Sequence, residues 1–379
     1  MTRVALITNV LAHYRVECFR RLSNMAGLQV TYYLLAKDMP HRRYVFARST
    51  EGLDVHSLPG WSWRMRPADD HHVNNVWPII KGHYDVIVMG GWDEPTYLMT
   101  WLWGVIARKK VVFWIESTAY EGGRTRMKEI LKKMLLRLAA GCVVPGRRSL
   151  EYCAALGVSK EHIVVAPNAA DREYFSREAA LLLPQRDALR KRLGLDGVTV
   201  LFVGRLVECH KSVSVLVLAA GRMERDGIGV DLVLVGDGPD RAVYKGMVKD
   251  QNLRRVHFLG ELDLDDICRA YAAADILVLP SASEPWGFVL NEGMEFGLPI
   301  VASDAVGAGP DLVHDGENGF LFPRGDDTAL EDRLRRLVRD GPLRRRMGEA
   351  SRLKIRSFSS ENWAIGMAEA IENAIGTRS

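Results

Sequence analysis

The sequence feature that most constrains the fold is a regular alternation of short apolar runs with longer segments of helical period. The runs are rich in β-branched side chains and carry few charges, as expected for strands buried on both faces. The first series comprises Val4–Thr8, Val30–Leu35, Tyr84–Met89, Val111–Ile115, Cys142–Val144 and Ile163–Ala166. The second series comprises Val198–Val203, Val230–Val235, Val256–Leu259, Ile276–Pro280 and Pro299–Ala302. Such an alternation predicts an α/β fold with doubly wound parallel sheets.

The chain is long enough for two domains of this kind, since 379 residues exceed what one core usually serves. A charged segment near Ser176–Asp196, which contains Pro184 and Gly194 and is followed by Gly197, separates the two series of runs. We therefore predict a first Rossmann-like domain over residues 1–185 and a second over residues 186–359. The last helical stretch, within residues 360–379, is predicted to pack back on the first domain.

Composition argues against several classes of protein. No apolar stretch reaches the roughly 20 residues of a membrane helix, and the N-terminal run lacks the long apolar core of a signal peptide. The five cysteines are scattered without zinc-like spacing, which indicates reduced thiols. We therefore expect a cytoplasmic protein, free or on the inner membrane surface. No basic stripe is interleaved with stacking aromatics, so nucleic acid is not an expected partner.

One helical segment, residues 124–137, is a candidate for membrane contact. Its basic side chains are Arg124, Arg126, Lys128, Lys132, Lys133 and Arg137, and its apolar ones are Met127, Ile130, Leu131, Met134 and Leu135. A basic amphipathic helix can lie on anionic lipid. The same pattern is also typical of a surface helix whose apolar side is buried, and both interpretations stay open at this point.

In an open parallel sheet, ligands bind beyond the carboxyl ends of the strands. The run Val198–Val203 is followed by Gly204, by Arg205 in the loop, and by Lys211 in the first turn of the next helix. Cations at a helix start are disfavoured by the helix dipole, so their presence favours a functional role. Arg205 can donate two parallel hydrogen bonds from its guanidinium, and Lys211 carries a compact positive charge. Together the two side chains can neutralise a diphosphate.

A second strand end carries the turn Gly236-Asp-Gly-Pro. This turn is as compatible with a plain connection as with a nucleotide contact. Arg241 occupies the position of the third glycine of the dinucleotide fingerprint, which disfavours an NAD-dependent dehydrogenase.

A third strand end carries Glu284 in its loop, and a helix predicted to start near Gly287 carries Glu292 in its early turns. The amides of Gly287, Phe288 and Val289 suit an anion, because the first N–H groups of a helix lack partners within it. Both carboxylates can accept hydrogen bonds from hydroxyl groups, so a phosphate and a sugar are both accommodated here.

These motifs together resemble the family-4 retaining glycosyltransferases. The resemblance is carried by Gly204-Arg205 with Lys211, by the Gly-Asp-Gly-Pro turn, and by the Glu-x7-Glu segment that leads into Gly297-Leu-Pro-Ile-Val-Ala-Ser303. It implies the GT-B fold, in which two Rossmann-like domains face each other across a cleft. It also implies transfer of a sugar from a nucleoside diphosphate to an acceptor hydroxyl, with the anomeric configuration retained.

The resemblance further implies roles for individual residues. Glu284 would hold the hydroxyls of the donor sugar, Glu292 would take the ribose hydroxyls, and the base would lie near Phe258. The set implied for the nucleotide sugar is Gly204, Arg205, Lys211, Gly236, Phe258, Leu259, Glu284, Gly287, Phe288, Val289 and Glu292, of which Glu284, Arg205 and Lys211 serve catalysis.

The acceptor is expected at strand ends of the first domain. The candidates are His13, Tyr14, Arg15, Gly91 and Glu116. His13 and Glu116 are suited to orient or deprotonate an acceptor hydroxyl, and a structural role is an equal alternative. A carbohydrate, a lipid-linked sugar and a small molecule are all compatible acceptors.

We expect no metal or other cofactor, the nucleotide sugar being a co-substrate. Asp263-Leu-Asp265 has the spacing of a metal-binding pair, but a helix cap explains it better. The consecutive residues of Asp69–His72 rarely converge on one ion. Two rival functions stay open. A nucleotide-sugar epimerase of the same fold would turn over the donor without an acceptor, and a non-catalytic nucleotide-sugar-binding module would bind the donor without forming product.

Overall fold

The computed structural model describes residues 1–36, 50–66, 69–121 and 125–376. The chain divides into two compact units. The first unit is formed by Met1–Ala119, Gly123–Asp171 and Ser359–Ser379, and the second by Arg172–Phe358 with Tyr120–Gly122. None of the described helices combines the length and the apolar character that a membrane span requires.

The first unit is built on a parallel sheet. Its strands are β1 (Thr2–Thr8), β2 (Leu28–Leu34), β3 (Val55–Ser57), β4 (Gly60–Arg66), β5 (Asp69–Asn74), β6 (Val86–Met89), β7 (Lys110–Trp114), β8 (Gly141–Val144) and β9 (Ile163–Val165). Seven of them pair in the order β3-β2-β1-β6-β7-β8-β9, and β4 and β5 form a separate antiparallel pair. The central strands are buried on both faces, which is why their sequences read as continuous apolar runs.

Helices cover both faces of this sheet. The first five are α1 (His13–Ser23), α2 (Trp77–Lys81), α3 (Pro95–Ile106), α4 (Arg126–Arg137) and α5 (Arg147–Ala155). One core lies between the sheet and α1. The other core lies between the opposite sheet face and α2 to α5.

The second unit repeats this plan with six strands. They are β10 (Thr199–Val203), β11 (Asp231–Val235), β12 (Val256–Gly260), β13 (Ile276–Leu279), β14 (Ile300–Ser303) and β15 (Gly319–Phe322). All pairings are parallel, in the order β12-β11-β10-β13-β14-β15. The predicted α/β doubly wound fold is therefore confirmed.

The helices of the second unit connect these strands. They are α6 (Arg172–Leu182), α7 (Arg186–Leu193), α8 (Glu208–Lys211), α9 (Val213–Arg225), α10 (Arg241–Asp250), α11 (Leu264–Ala273), α12 (Phe288–Glu295), α13 (Gly309–Leu312), α14 (Asp327–Arg339) and α15 (Gly341–Ile355).

The chain enters the second unit at Arg172, earlier in the sequence than the expected boundary at residue 185. The reason is α6, which packs on α11 and α12 and buries Phe175 and Ala179. Arg172 itself pairs with Glu295 of α12 at 3.1 Å. The charged segment that the sequence marks as a linker therefore begins as part of the second unit.

The last described helix, α16 (Ser360–Gly376), packs against α1 and against β7, β8 and β9. Its Trp363 is fully buried, with its ring centroid 5.8 Å from that of Phe19 and 5.4 Å from that of Trp114. Gly366 permits the close approach, because a Cβ there would lie 2.6 Å from the carbonyl oxygen of Val165. The first unit is thus completed by a segment that follows the whole second unit in sequence.

Candidate functional site

Three loops of the second unit lie side by side at the carboxyl edge of its sheet. They follow β10, β11 and β13, and these strands are neighbours in the order β11-β10-β13. The structure therefore brings together the three segments that the sequence indicates, which carry Arg205 and Lys211, Gly236, and Glu284.

Backbone hydrogen bonds tie these loops to one another and to the loop that follows β14. They run from Leu206 N to Asp237 O (2.9 Å), from Ala282 N to His210 O (2.9 Å), and from Gly307 N to Glu284 O (2.8 Å). Gly236 has φ +125°, and a Cβ there would lie 2.0 Å from the carbonyl oxygen of Gly204. The glycine of the second loop thus serves close packing against the first loop, and the edge is a backbone-braced surface.

Two cations of this edge differ in their surroundings. The ammonium of Lys211 forms an ion pair with the carboxylate of Glu284, and these side chains are 20% and 15% exposed. Arg205 is exposed and pairs with no acidic side chain among the residues that the structure describes. The edge therefore offers one cation neutralised by a carboxylate and one guanidinium open to an anion.

The short helix α8 that carries Lys211 is held by side chains that sequence reasoning missed. Glu208 accepts hydrogen bonds from the hydroxyl of Tyr244 (2.8 Å) and from that of Ser214 (2.5 Å), and its own N–H donates to Asp240 (2.7 Å). Burial raises the pKa of Tyr244, and Glu208 adds to that rise. These contacts join separate helices, so no local spacing in the sequence signals them.

The helix α12 begins at Phe288, next to Gly287, as predicted. Gly287 has φ +101°, a left-handed conformation that favours glycine. The buried Trp286 donates its indole N–H to the side chain of Asn291 (2.9 Å), which fixes the loop before the helix. The start of the helix at Phe288 and Val289 therefore has a defined direction, and its dipole favours an anion there.

Glu292 lies in the second turn of α12 and is 8% exposed. One carboxylate oxygen accepts a hydrogen bond from the hydroxyl of Tyr271 at 2.7 Å. Burial raises the pKa of Glu292 to about 7, and the hydrogen bond from Tyr271 opposes that rise. The carboxyl group therefore titrates near neutral pH, and its ability to accept hydrogen bonds depends on pH.

Phe258 and Leu259 lie in β12, at the edge of the sheet, where both are half-buried. The ammonium of Lys245 lies 5.7 Å from the ring centroid of Phe258. The end of β12 is joined to the neighbouring turn, because the N–H of Gly236 donates to the carbonyl of Gly260 (2.7 Å). The structure thus places Phe258 and Leu259 in the outermost strand, whose carboxyl end at Gly260 lies beside Gly236.

Two acidic motifs, Asp263-Leu-Asp265 and Asp69–His72, were considered as metal ligands. Asp263 caps α11 by accepting a hydrogen bond from the N–H of Asp266 (2.9 Å), which confirms the interpretation as a helix cap. In Asp69–His72, the side chains at 69 and 70 lie outside the described residues, and the N–H of His72 donates to Glu94 (2.7 Å). Across the part of the chain that the structure describes, no three His, Cys, Asp or Glu side chains are grouped to hold a metal.

The carboxyl edge of the first unit carries a buried polar cluster. The guanidinium of Arg15 pairs with the carboxylate of Glu116 and donates to the side-chain oxygen of Asn168 (2.7 Å). It also lies 4.5 Å from the ring centroid of Trp114. The side chain of Arg15 is 6% exposed and that of Glu116 is 35% exposed. Arg15 is therefore an internal anchor, and Glu116 is the member of the pair that reaches solvent.

The other acceptor candidates lie in the same unit. His13 and Tyr14 open α1, with ring centroids 5.4 Å apart. Gly91 follows β6, and a Cβ there would lie 2.7 Å from the ring of Tyr97. The hydroxyl of Tyr97 donates to the side chain of Asn9 (2.7 Å). The structure therefore brings the loops after β1, β6 and β7 to one edge, with Asn168 as a member that the sequence did not assign.

The two Rossmann-like units define the class of fold as GT-B, and comparison with solved structures agrees. HepE from Anabaena, in complex with UDP, is 20% identical with a TM-score of 0.74, over 98% of this chain and 100% of that chain. At this identity the likeness concerns the fold.

Sequence comparisons find similarity to glycosyltransferases. Residues 185–354 match the model of the glycosyl transferases group 1. The α-D-kanosaminyltransferase of Streptomyces kanamyceticus is 35% identical over 44% of this chain, and the match spans 43% of that relative's length. A D-inositol 3-phosphate glycosyltransferase of Xylanimonas cellulosilytica is 27% identical over 88% of this chain and 82% of its own. The similarity to group 1 glycosyltransferases is therefore strongest in the second unit, and the matched segment spans less than half of the kanosaminyltransferase.

Proposed function

We propose that the protein moves a sugar from a nucleoside diphosphate sugar to an acceptor hydroxyl, with retention at the anomeric carbon. The observation that carries this proposal is the edge of the second unit, where the exposed Arg205, the Lys211–Glu284 pair and the start of α12 lie on adjoining loops. A structural relative of this fold was solved with UDP, which supports a nucleoside diphosphate as the ligand class.

The chemistry assigned to this edge is stabilisation of a leaving diphosphate. Breaking the bond between the anomeric carbon and the diphosphate oxygen leaves negative charge on the diphosphate. Arg205 and the first amides of α12 are suited to stabilise that charge as it develops, because preorganised donors act most strongly where charge appears in the transition state. Their contribution takes the place of a metal ion, so activity is expected to survive chelation by EDTA.

The ion pair between Lys211 and Glu284 fits a donor that carries both a diphosphate and a sugar. A bound diphosphate competes with Glu284 for the ammonium, and sugar hydroxyls compete with Lys211 for the carboxylate. Lys211 then exchanges the carboxylate of Glu284 for the diphosphate, and Glu284 exchanges the ammonium of Lys211 for sugar hydroxyls. Both side chains therefore keep a hydrogen-bonding partner. The ion pair thus holds both groups in place for the donor.

Retention follows if the acceptor attacks on the face from which the diphosphate departs. The acceptor oxygen forms the new bond to the anomeric carbon as the bond to the diphosphate breaks. The proton of the acceptor hydroxyl passes to a diphosphate oxygen. This route needs no covalent intermediate with the enzyme.

Glu116 is assigned to the acceptor hydroxyl. One oxygen, Oε1, is held by Arg15 and by the side-chain amide of Asn168 (3.1 Å). The other, Oε2, accepts no hydrogen bond from the described residues and belongs to a side chain that is 35% exposed. A carboxylate that is fixed on one side and open on the other can accept a hydrogen bond from an acceptor at a defined place.

The proposed acceptor is a carbohydrate, a lipid-linked sugar or a small molecule. The proposed place of action is the cytoplasm or the inner membrane surface, in keeping with five cysteines that form no disulfide among the described residues.

A thermal-shift screen of nucleoside diphosphates and their sugars tests the donor, and product analysis by NMR with a panel of acceptors tests the transfer. We expect stabilisation by one class of nucleotide sugar and a product that keeps the anomeric configuration of the donor. Turnover of the donor to an epimer without acceptor would favour an epimerase. Donor binding without product from any acceptor would favour a binding module, and strict dependence on added Mg²⁺ or Mn²⁺ would contradict the metal-free mechanism.

A further inference from the structure

The helix α4 turns a continuous apolar stripe to solvent. The exposed fractions are 79% for Met127, 59% for Ile130, 44% for Leu131, 60% for Met134 and 58% for Leu138, which follows the helix. Their spacing of three and four residues places them on one side of the helix. Such a stripe normally faces the core, so its exposure calls for a partner.

The opposite side of α4 accounts for its packing on the unit. Leu135 and Leu136 are buried against the sheet. Lys132 points inward as well, because its ammonium donates to the hydroxyl of Tyr152 (2.9 Å) and lies 4.7 Å from the ring centroid of Trp92. At about 100° per residue, the exposed stripe lies on the far side of the helix from this inner face. The apolar side of α4 is therefore only partly buried, so packing on the unit does not account for the whole of its apolar pattern.

Cations flank the stripe on both sides. At the same angular spacing, Arg126, Lys133 and Arg137 lie along one flank and Lys128 lies along the other. All four side chains are exposed, and none forms an ion pair with an acidic side chain of the described residues. An apolar ridge bordered by unpaired cations matches a surface that has anionic groups above an apolar interior.

We propose that α4 docks on an anionic phospholipid bilayer, with the Met127–Leu138 stripe in the interface and the flanking cations among the headgroups. The helix α3 packs on the same face of the sheet and also exposes apolar side chains, Leu102 (54%) and Ile106 (73%). The charge of the flanks selects anionic lipid over a neutral apolar protein surface.

The docking also bears on the acceptor, and in this respect it rests on the proposed function. Because α4 is the connection after β7, its N-terminus lies at the carboxyl edge of the sheet, where Glu116 is also found. A bilayer held by α4 would therefore lie beside the proposed acceptor contact. This arrangement favours an acceptor that is embedded in the membrane or linked to a lipid, because such an acceptor is held at the bilayer surface.

The test is flotation of the full-length protein with vesicles. One set contains phosphatidylcholine alone, and the other contains phosphatidylcholine with about one third phosphatidylglycerol. We expect binding to the anionic vesicles at low salt, at least tenfold weaker binding to the neutral ones, and a marked loss at about 0.5 M NaCl because salt screens exposed charges.

Two double variants and a matched control separate the contribution of the apolar stripe from that of the flanking charges. Ile130→Gln with Met134→Gln removes the centre of the ridge, and Lys128→Glu with Lys133→Glu reverses two flanking charges. Each is expected to reduce binding to anionic vesicles at least tenfold. The control, Lys160→Glu with Lys191→Glu, makes the same charge change at two exposed lysines away from α4 and should float like the wild type. Unchanged circular dichroism and an unchanged thermal shift by the nucleotide sugar show that the variants are folded.

Failure of the wild type to float with anionic vesicles, or equal flotation of the ridge variant and the wild type, would overturn the proposal. Light scattering that shows a dimer, lost in the same ridge variant, would assign the stripe to a second copy of the chain instead. Donor binding is measured separately by thermal shift, so a failure here is distinct from a failure of the proposed transfer activity.

Discussion

The two units share one architecture but differ in how their functional edges are built. In the second unit, backbone hydrogen bonds brace the loops after β10, β11 and β13 against one another. In the first unit, side chains from distant positions, such as Arg15, Glu116 and Asn168, tie the loops together. A backbone-braced edge keeps its shape when surface side chains change, whereas an edge tied by side chains can be altered one residue at a time.

The surfaces of the units differ as well. Among the described residues, three of the exposed large apolar side chains, Leu181, Val243 and Leu353, belong to the second unit, and the other sixteen belong to the first. The first unit therefore exposes more large apolar side chains than the second.

The largest expected effect tests whether the second unit carries the leaving-group chemistry. Arg205→Ala and Lys211→Ala should each reduce kcat by about 10²–10³, because each removes a charge contact that strengthens in the transition state. Lys160→Ala removes an exposed cation of the first unit and should leave kcat nearly unchanged. Steady-state kinetics with a saturating donor provide the measurement, and near-normal turnover by either site variant would remove the assignment.

A second prediction tests the backbone bracing. Gly236→Ala should destabilise the protein by about 3 kcal/mol, because it strains a positive φ and forces a Cβ against the carbonyl of Gly204. Gly246→Ala is the matched control, since nothing lies within 4 Å of its Cβ position in the middle of α10. The control should stabilise by about 0.5–1 kcal/mol. Chemical unfolding measures both, and equal effects would show that the bracing contributes little.

The third prediction concerns the pH dependence of the second unit. The pKa of Glu292 is raised by burial to about 7 from an ordinary value of 4.5, so the folded state binds the proton more tightly than the unfolded state. This contribution to stability is complete below pH 4.5 and is lost as the pH rises through 7.

Replacing Glu292 separates the effect of its titration on stability from the effects of all other titrating groups. The difference in unfolding free energy between Glu292→Gln and the wild type should grow by about 2–3 kcal/mol between pH 4.5 and 7.5, in favour of the variant. Tyr271→Phe removes the hydrogen bond that lowers the pKa of Glu292, so the pH at which Glu292 titrates should move higher. A difference that does not change with pH would show that Glu292 does not titrate in this range.

The smallest effect tests the side-chain-tied edge. Glu116→Gln should raise KM for the acceptor about tenfold, since a hydrogen bond to a charged group contributes roughly 1.5 kcal/mol, and should leave KM for the donor unchanged. Arg15→Lys keeps the charge but not the planar fork, so it should show a weaker form of the same pattern. If the donor and acceptor KM values change together, Glu116 does not act on the acceptor alone.

The same difference in construction explains how much the sequence could predict. Buried parallel strands leave continuous apolar runs, so the sequence predicts the central strands, whereas β3 is a short, largely exposed edge strand without such a run. The sequence marks the carboxyl edge of the second unit because its glycines, cations and carboxylates stand next to strand ends in the chain. Glu208, Tyr244 and Asn168 were not assigned, because their contacts join positions far apart in the chain, and such contacts leave no local signal.

The contribution of α16 to the first core has a consequence for biosynthesis. Trp363 fills the space between Phe19 and Trp114, so the ribosome must make every residue of the second unit before the first core can close. Until α16 is synthesised, part of the apolar core of the first unit stays exposed. All strands of the second unit, in contrast, have been made by then. We expect a nascent chain stalled before residue 359 to bind chaperones through its earlier half and to protect its later half from protease.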